Sequence, residues 1–316
     1  MHWLLVLVAL VFALDARAVT IDWVTVGNPG NAPDTATNCY AANCGAVAEV
    51  YRISKYEITN AQYAAFLNAV AVPDDPFGLY DSSMSISALI DFTTGLIFYF
   101  APIGFENKPV TYVSFYDALR FANWLNNGQG NADTETGAYT LLGGTATPSN
   151  GRTVLRNPGA SIFLTSENEW YKAAYYDPAR TSYFDYPAGS NAVTACSTPS
   201  SRPNEANCLG FVGGVTDVGA YTGSPSPSGT FDQGGNVWEW NDQLSFTPFD
   251  RFIRGGYWGN NAGGLAASSP YYFGDAANSS GLIGFRVVSL VPEPGPGLLG
   301  MTAILGLTAS QRRRAP

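Results

Sequence analysis

Gly234-Gly235-Asn236-Val237-Trp238-Glu239-Trp240 is the stretch from which the fold reads outward. Two glycines admit backbone angles that residues with a Cβ avoid. A short β-prone run follows, carrying two tryptophans one residue apart. In a strand, positions i and i+2 share a face, so Trp238 and Trp240 point together into a core and Glu239 points the other way. Asp232 precedes the glycines. Acidic side chains and turn carbonyls at this density can hold a hard cation such as calcium through oxygen. The same spacing also fits an aromatic core strand with a solvated glutamate.

The chain around this stretch has 316 residues, enough for one large domain or two small ones. Charged residues make up 13% and aromatics 14%, which fits an aromatic-cored, loop-rich globule and not a disordered chain. Net charge is -9, and the only basic cluster is the C-terminal arginines, which excludes nucleic acid as a partner. The single histidine is His2, so histidine general bases and histidine-ligated metals are excluded from the processed chain.

Residues 1–18 read as a secretory signal peptide. The apolar run Trp3–Leu14 has the right length, and Ala16-Arg17-Ala18 is an A-x-A cleavage site, although Lys and Arg are missing before the run. Export makes the four cysteines legible. Cys39 and Cys44 bracket one short loop and Cys196 and Cys208 another, and local pairs Cys39–Cys44 and Cys196–Cys208 are favoured among the three possible pairings.

Three helices are predicted from capping signals and apolar spacing. One begins at Thr59 with Gln62, presenting Tyr63, Phe66, Leu67 and Val70. Another begins at Ser114 with Asp117, presenting Ala118, Phe121, Ala122 and Leu125, and stops at Gly128. The last begins at Ser166 with Glu169, turns Trp170, Ala173 and Ala174 inward and stops before Pro178. Between them lie long stretches without a periodic pattern, 73–107, 127–162 and 178–230, read as surface excursions.

Six segments together resemble the formylglycine-generating enzyme family, also called sulfatase-modifying factors. They are KYEITNAQYAAFLN (55–68), KPVTYVSFYDALRFANWLN (108–126), FLTSENEWYKAAYYD (163–177), GTFDQGGNVWEWND (229–242), RGGYW (254–258) and IGFRVV (283–288). The resemblance implies an α+β fold related to C-type lectins, with one domain over 19–290 and helices around a small twisted antiparallel sheet. It also implies a calcium site at Asp232, Gly235, Val237 and Glu239, the middle two through their carbonyls. A second site would start at Asn207, use the carbonyl of Cys208 and take Asp217 as its nearest acidic partner.

The family's chemistry does not transfer. Formylglycine-generating enzymes oxidise a substrate cysteine with O2 on copper held by two cysteines, and soft thiolates suit Cu(I). Here those positions fall near Asn260 and Leu265, Tyr257 stands where a serine is expected, and no cysteine follows Cys208. Relatives that use non-haem iron hold it with histidines and a carboxylate, and the one histidine here is His2 in the leader, so neither a copper nor an iron site is identifiable. Arg254 and Arg286, in apolar glycine-rich settings, read as structural cross-links. Tyr257, Trp258, Asn260 and Asn261 are the candidate ligand pocket, because aromatics with amides suit carbohydrate or peptide; loop packing is the competing explanation.

Residues 291–316 resemble a PEP-CTERM sorting tail: Val291-Pro292-Glu293-Pro294, an apolar run over 297–309 and Arg312-Arg313-Arg314. The run is shorter than the roughly 20 residues of a membrane span, which fits a transient membrane anchor. The resemblance implies exosortase-type processing in an exopolysaccharide-making Gram-negative bacterium, with delivery to the cell envelope or extracellular matrix. Two functions follow as expectations. One is an exported binding or matrix protein without oxidase chemistry, the other a divergent oxidoreductase of the same family acting outside the cytoplasm.

Overall fold

The computed structural model describes residues 18–291, apart from 36–38, 40–42, 246, 248, 270 and 271. The leader lies outside the described residues, except Ala18, as does the sorting tail, except Val291. In chain order the strands are β1 (Trp23–Val26), β2 (Tyr51–Ser54), β3 (Ser87–Ile90), β4 (Ile97–Phe100), β5 (Ile162–Leu164), β6 (Tyr176–Asp177), β7 (Ser182–Tyr183), β8 (Ala195–Cys196), β9 (Glu205–Ala206), β10 (Trp238–Leu244), β11 (Asp250–Arg254), β12 (Tyr272–Asp275), β13 (Ile283–Phe285) and β14 (Val287–Leu290). The helices are α1 (Asn60–Val70), α2 (Phe115–Asn126) and α3 (Glu167–Tyr175).

All three helices start at the residues that their sequence signals mark. Thr59, Ser114 and Ser166 each accept from the backbone N–H three residues on, and Gln62, Asp117 and Glu169 reach back to complete the capping box. Tyr63, Phe66, Phe121 and Trp124 then interlock as an aromatic cluster with Phe285. Such ring pairs add about 0.5–1.5 kcal/mol each beyond the area they bury.

The sheet differs from the single antiparallel one expected. Two four-stranded sheets form, ordered β1-β2-β14-β5 and β12-β11-β10-β13, and β10 runs parallel to β13. The cause is the IGFRVV segment. Its first half pairs with β10 and its second half with β2 and β5, so one continuous stretch belongs to both sheets and Arg286 stands at the joint. The excursion over 73–107 is also more regular than expected, because it contains the β3–β4 hairpin.

Trp238 and Trp240 are buried as the i, i+2 pattern requires. Trp240 packs edge-on against Phe115 and donates from Nε1 to the Val113 carbonyl. Gly274 lies so close to its six-membered ring that a Cβ there would collide with it. Both cysteine pairs are bonded as expected, Cys39 to Cys44 and Cys196 to Cys208.

Candidate functional site

The motif strand carries Glu239 into the interface of the two sheets, where it is fully buried instead of solvated. Arg286 Nε donates to both of its oxygens at 2.8 Å, and Trp170 Nε1 donates to Oε2 at 2.7 Å. A second buried carboxylate, Glu57, lies 3.3 Å from Arg286 Nη2. Asn236 Nδ2 donates to the other Glu57 oxygen at 2.9 Å. Arg286 also donates to the carbonyls of Ser54, Lys55 and Phe231, so its guanidinium cross-links four segments. Arg254 plays the same part nearby. Its Nε and Nη2 donate to Glu167 Oε1, and Asn241 holds the other Glu167 oxygen. Both arginines are the structural cross-links that their settings predict.

Asp232 lies close enough to this cluster to act on its titration. Burial pushes the Glu57 carboxyl well above the usual range, and the Asp232 charge pushes it further, against the pull of Arg286. Burial raises Asp232 itself to about 6, while the Gly219 N–H that it accepts works the other way. Two carboxylates thus contact one guanidinium, Asp232 acts on them at longer range, and the surplus negative charge favours protonation.

The loop that leads into the strand is tightly specified. Asp232 and Asn236 both take φ of 60° and Gly235 takes 87°. A Cβ on Gly235 would strike the Asn207 carbonyl. The Asn236 N–H donates to that carbonyl at 3.0 Å, so the segments bearing Asp232 and Asn207 are bound to each other. Asn207 Oδ1 is buried and accepts no hydrogen bond. Asp217, by contrast, is half-exposed and ion-paired to Lys108 at 3.4 Å. The residues expected to hold calcium, Asp232, Gly235, Val237 and Glu239, offer oxygen only, and Glu239 is already held by Arg286 and Trp170. Among the described residues, no group of three or more acidic, histidine or cysteine side chains converges on one point.

Tyr257, Trp258, Asn260 and Asn261 are brought together by a tight turn. Asn260 Oδ1 accepts from the Tyr257 N–H at 3.0 Å, and the Asn260 N–H donates to the Tyr257 carbonyl at 2.9 Å. Tyr257 and Trp258 are half-buried with rings edge to face at 5.6 Å, and the Tyr257 ring lies over Gly259. Beside them lies a contact that no sequence motif marks. Leu209 N–H donates to the Asn260 carbonyl and Gly210 N–H to that of Trp258, both at 2.7 Å. That contact sets exposed Leu209, Phe211 and Val212 next to the aromatic turn. Its trace in the sequence is the apolar Leu209-Gly210-Phe211-Val212 run, which fits no helix or strand.

Leu265, one of the two positions where copper thiolates are expected, is fully buried against Ala206 and the Cys196–Cys208 disulfide. It also lines a narrow recess with Thr194, Glu205, Tyr221, Asp232 and Gln233, with room for little more than a water molecule.

In architecture the chain is similar to a protein solved as "Crystal Structure of CarF", with 21% identity, covering 87% of this chain and all of that one at a TM-score of 0.56. It is similar also to the Treponema denticola variable protein 1, with 16% identity over 87% of this chain and 97% of that one at a TM-score of 0.53. No curated protein sequence matches. The family model of the sulfatase-modifying factor enzyme 1-like domain matches residues 24–291. That span includes both sheets except Trp23, all three helices and the carboxylate–arginine cluster, and the chain therefore belongs to the sulfatase-modifying factor enzyme 1-like family.

Proposed function

We propose that this chain is an exported binding or matrix protein of the cell envelope that uses the family scaffold without oxidase chemistry. One observation carries the reading. Where a copper oxidase of this kind requires a thiolate pair, the chain has Asn260, engaged with Tyr257 and Leu209, and Leu265, packed in an apolar cluster. Both disulfides fit an oxidising compartment, and the leader and sorting tail give the route by which the chain would reach it. Calcium at Asp232, Gly235, Val237 and Glu239, with Asn207 as part of a second site, would serve shape and not reaction. The uncharged rim of Trp258, Tyr257, Phe211 and Leu209, with Asn261 at its edge, suits the apolar face of a neutral saccharide or an uncharged peptide.

Titrating the full chain with neutral oligosaccharides while following tryptophan fluorescence tests the proposal. Binding that Trp258→Ala weakens about tenfold supports it, given the 1–2 kcal/mol expected of an aromatic contact. No response to any neutral glycan or uncharged peptide contradicts it.

A second reading rests on the sulfur beside Leu265. If Cys196 and Cys208 were reduced, two thiols would stand next to the expected copper position, and a divergent oxidoreductase would be back in play. Copper(I) binding by the reduced chain that is lost in Cys208→Ser would favour it.

A further inference from the structure

The β3–β4 hairpin carries a strand edge that nothing described pairs with. Its register sets Ala88 opposite Tyr99 and Ile90 opposite Ile97. The Tyr99 N–H donates to Asn68 Oδ1 at 2.8 Å, and Asn68 Nδ2 donates to the Tyr99 carbonyl at 2.7 Å. A side chain of α1 thus caps the outer edge of β4. Because the Tyr99 backbone groups turn away from β3, Ala88 and Tyr99 form a non-hydrogen-bonded pair, as Ile90 and Ile97 do two residues on. The N–H and C=O of Ala88 and Ile90 therefore face outward from β3, where the sheet ends. Ala88, Leu89 and Ile90 are all exposed, Leu89 at 58% and Ile90 at 55%.

Unpaired strand edges are usually blunted by Lys, Pro or a bulge. This edge has none of these. Between residues 82 and 105 the one charged side chain is Asp91. The geometry points to a second copy of this chain as the occupant, with β3 pairing antiparallel to itself about a twofold axis through Leu89. Ala88 of each copy then exchanges both backbone hydrogen bonds with Ile90 of the other, and the two Leu89 side chains meet in a close, non-hydrogen-bonded pair. The two hairpins become one four-stranded sheet, with Leu89, Phe98 and Phe100 of each copy along one face.

Charge favours this self-pairing. Copies of a chain at net -9 repel, so contact is cheapest where charge is sparse. The same register sets Asp91 opposite Ser87 of the other copy, so that the two acids do not face each other and each meets a hydroxyl.

The test uses the full chain. Leu89→Cys should give a disulfide-linked dimer on mild oxidation, because a non-hydrogen-bonded pair brings Cα atoms to about 4.5 Å, within disulfide reach. Phe92→Cys, displaced along the strand, should not cross-link. By sedimentation, Leu89→Lys, which sets like charges face to face, should weaken the dimer about tenfold. Ile90→Pro, which deletes an outward N–H and no internal one, should weaken it as much. An unchanged melting temperature in Leu89→Lys separates lost pairing from lost folding. A monomer at all concentrations, a dimer whose Leu89→Cys form does not cross-link, or a dimer untouched by both other substitutions would each overturn the proposal.

Discussion

Arg286 and Glu239 form a fully buried ion pair at the point where the two sheets share one strand segment, with the guanidinium Nε 2.8 Å from both carboxylate oxygens. Removing one partner of such a pair leaves an uncompensated charge and costs about 3–5 kcal/mol. Glu239→Gln should therefore lower stability by about that amount in urea titrations. Glu57→Gln should cost less, because its Oε2 contact with Arg286 is longer, at 3.3 Å. Equal losses would mean that the guanidinium does not distinguish the two acids.

Two glycines make a matched test of the motif loop. Gly235→Ala forces a Cβ against the Asn207 backbone at a positive φ, and Gly274→Ala forces one into the Trp240 ring. Overpacking typically costs about 1–3 kcal/mol, so each variant should unfold at lower temperature. If Asn207 contributes to a calcium site, Gly235→Ala should also lose any calcium-induced rise in melting temperature, whereas Gly274→Ala should keep it. A calcium response that Gly235→Ala retains would remove Asn207 and the motif loop from calcium binding.

Burial raises Asp117 to about 6, opposed by the Ser114 hydrogen bonds. An unfolded aspartate titrates at about 3.9. The folded chain therefore holds this proton more tightly, and the stability that it contributes is present below about pH 4 and lost as pH rises through about 6. Asp242, also raised to about 6 mainly by burial, acts in the same direction. Asp117→Asn keeps the cap acceptor without the titration. Its melting temperature should gain on that of the parent as pH rises from 4 to 7. A constant difference would show that Asp117 does not titrate in that window.

The Cys196–Cys208 bond closes a loop of 12 residues next to Leu265, and Cys39–Cys44 closes one of 5. The loop-entropy relation gives about 3 kcal/mol for a loop near 15 residues, so the Cys196→Ser, Cys208→Ser double variant should lose about that much. Under reducing conditions, where both chains lack both bonds, its melting temperature should match that of the reduced parent. A mismatch of several degrees would show that the sulfurs do more than close a loop.

Much of the fold was legible because local chemistry specified it. Thr59, Ser114 and Ser166 mark helix starts by capping, a signal carried within four residues. Trp238 and Trp240 mark a core strand by period alone. What was not legible is long-range pairing. Nothing local to Ile283–Leu290 says that half of it pairs with one sheet and half with the other. The same limit hid the partners of Glu239, since Trp170 and Arg286 lie 69 and 47 residues away in the chain. It also hid the contact between Leu209 and Asn260, which depends on two loops meeting.

Oxygen uptake by the full chain, loaded with copper(I) and given a cysteine-containing peptide, bears most directly on whether the scaffold has left oxidase chemistry behind. With Asn260 and Leu265 at the two loop positions, no copper-dependent oxygen consumption and no aldehyde on the peptide is the predicted result, whether the Cys196–Cys208 bond is intact or reduced. Aldehyde formed with turnover, and abolished in Cys208→Ser, would contradict the binding-protein reading.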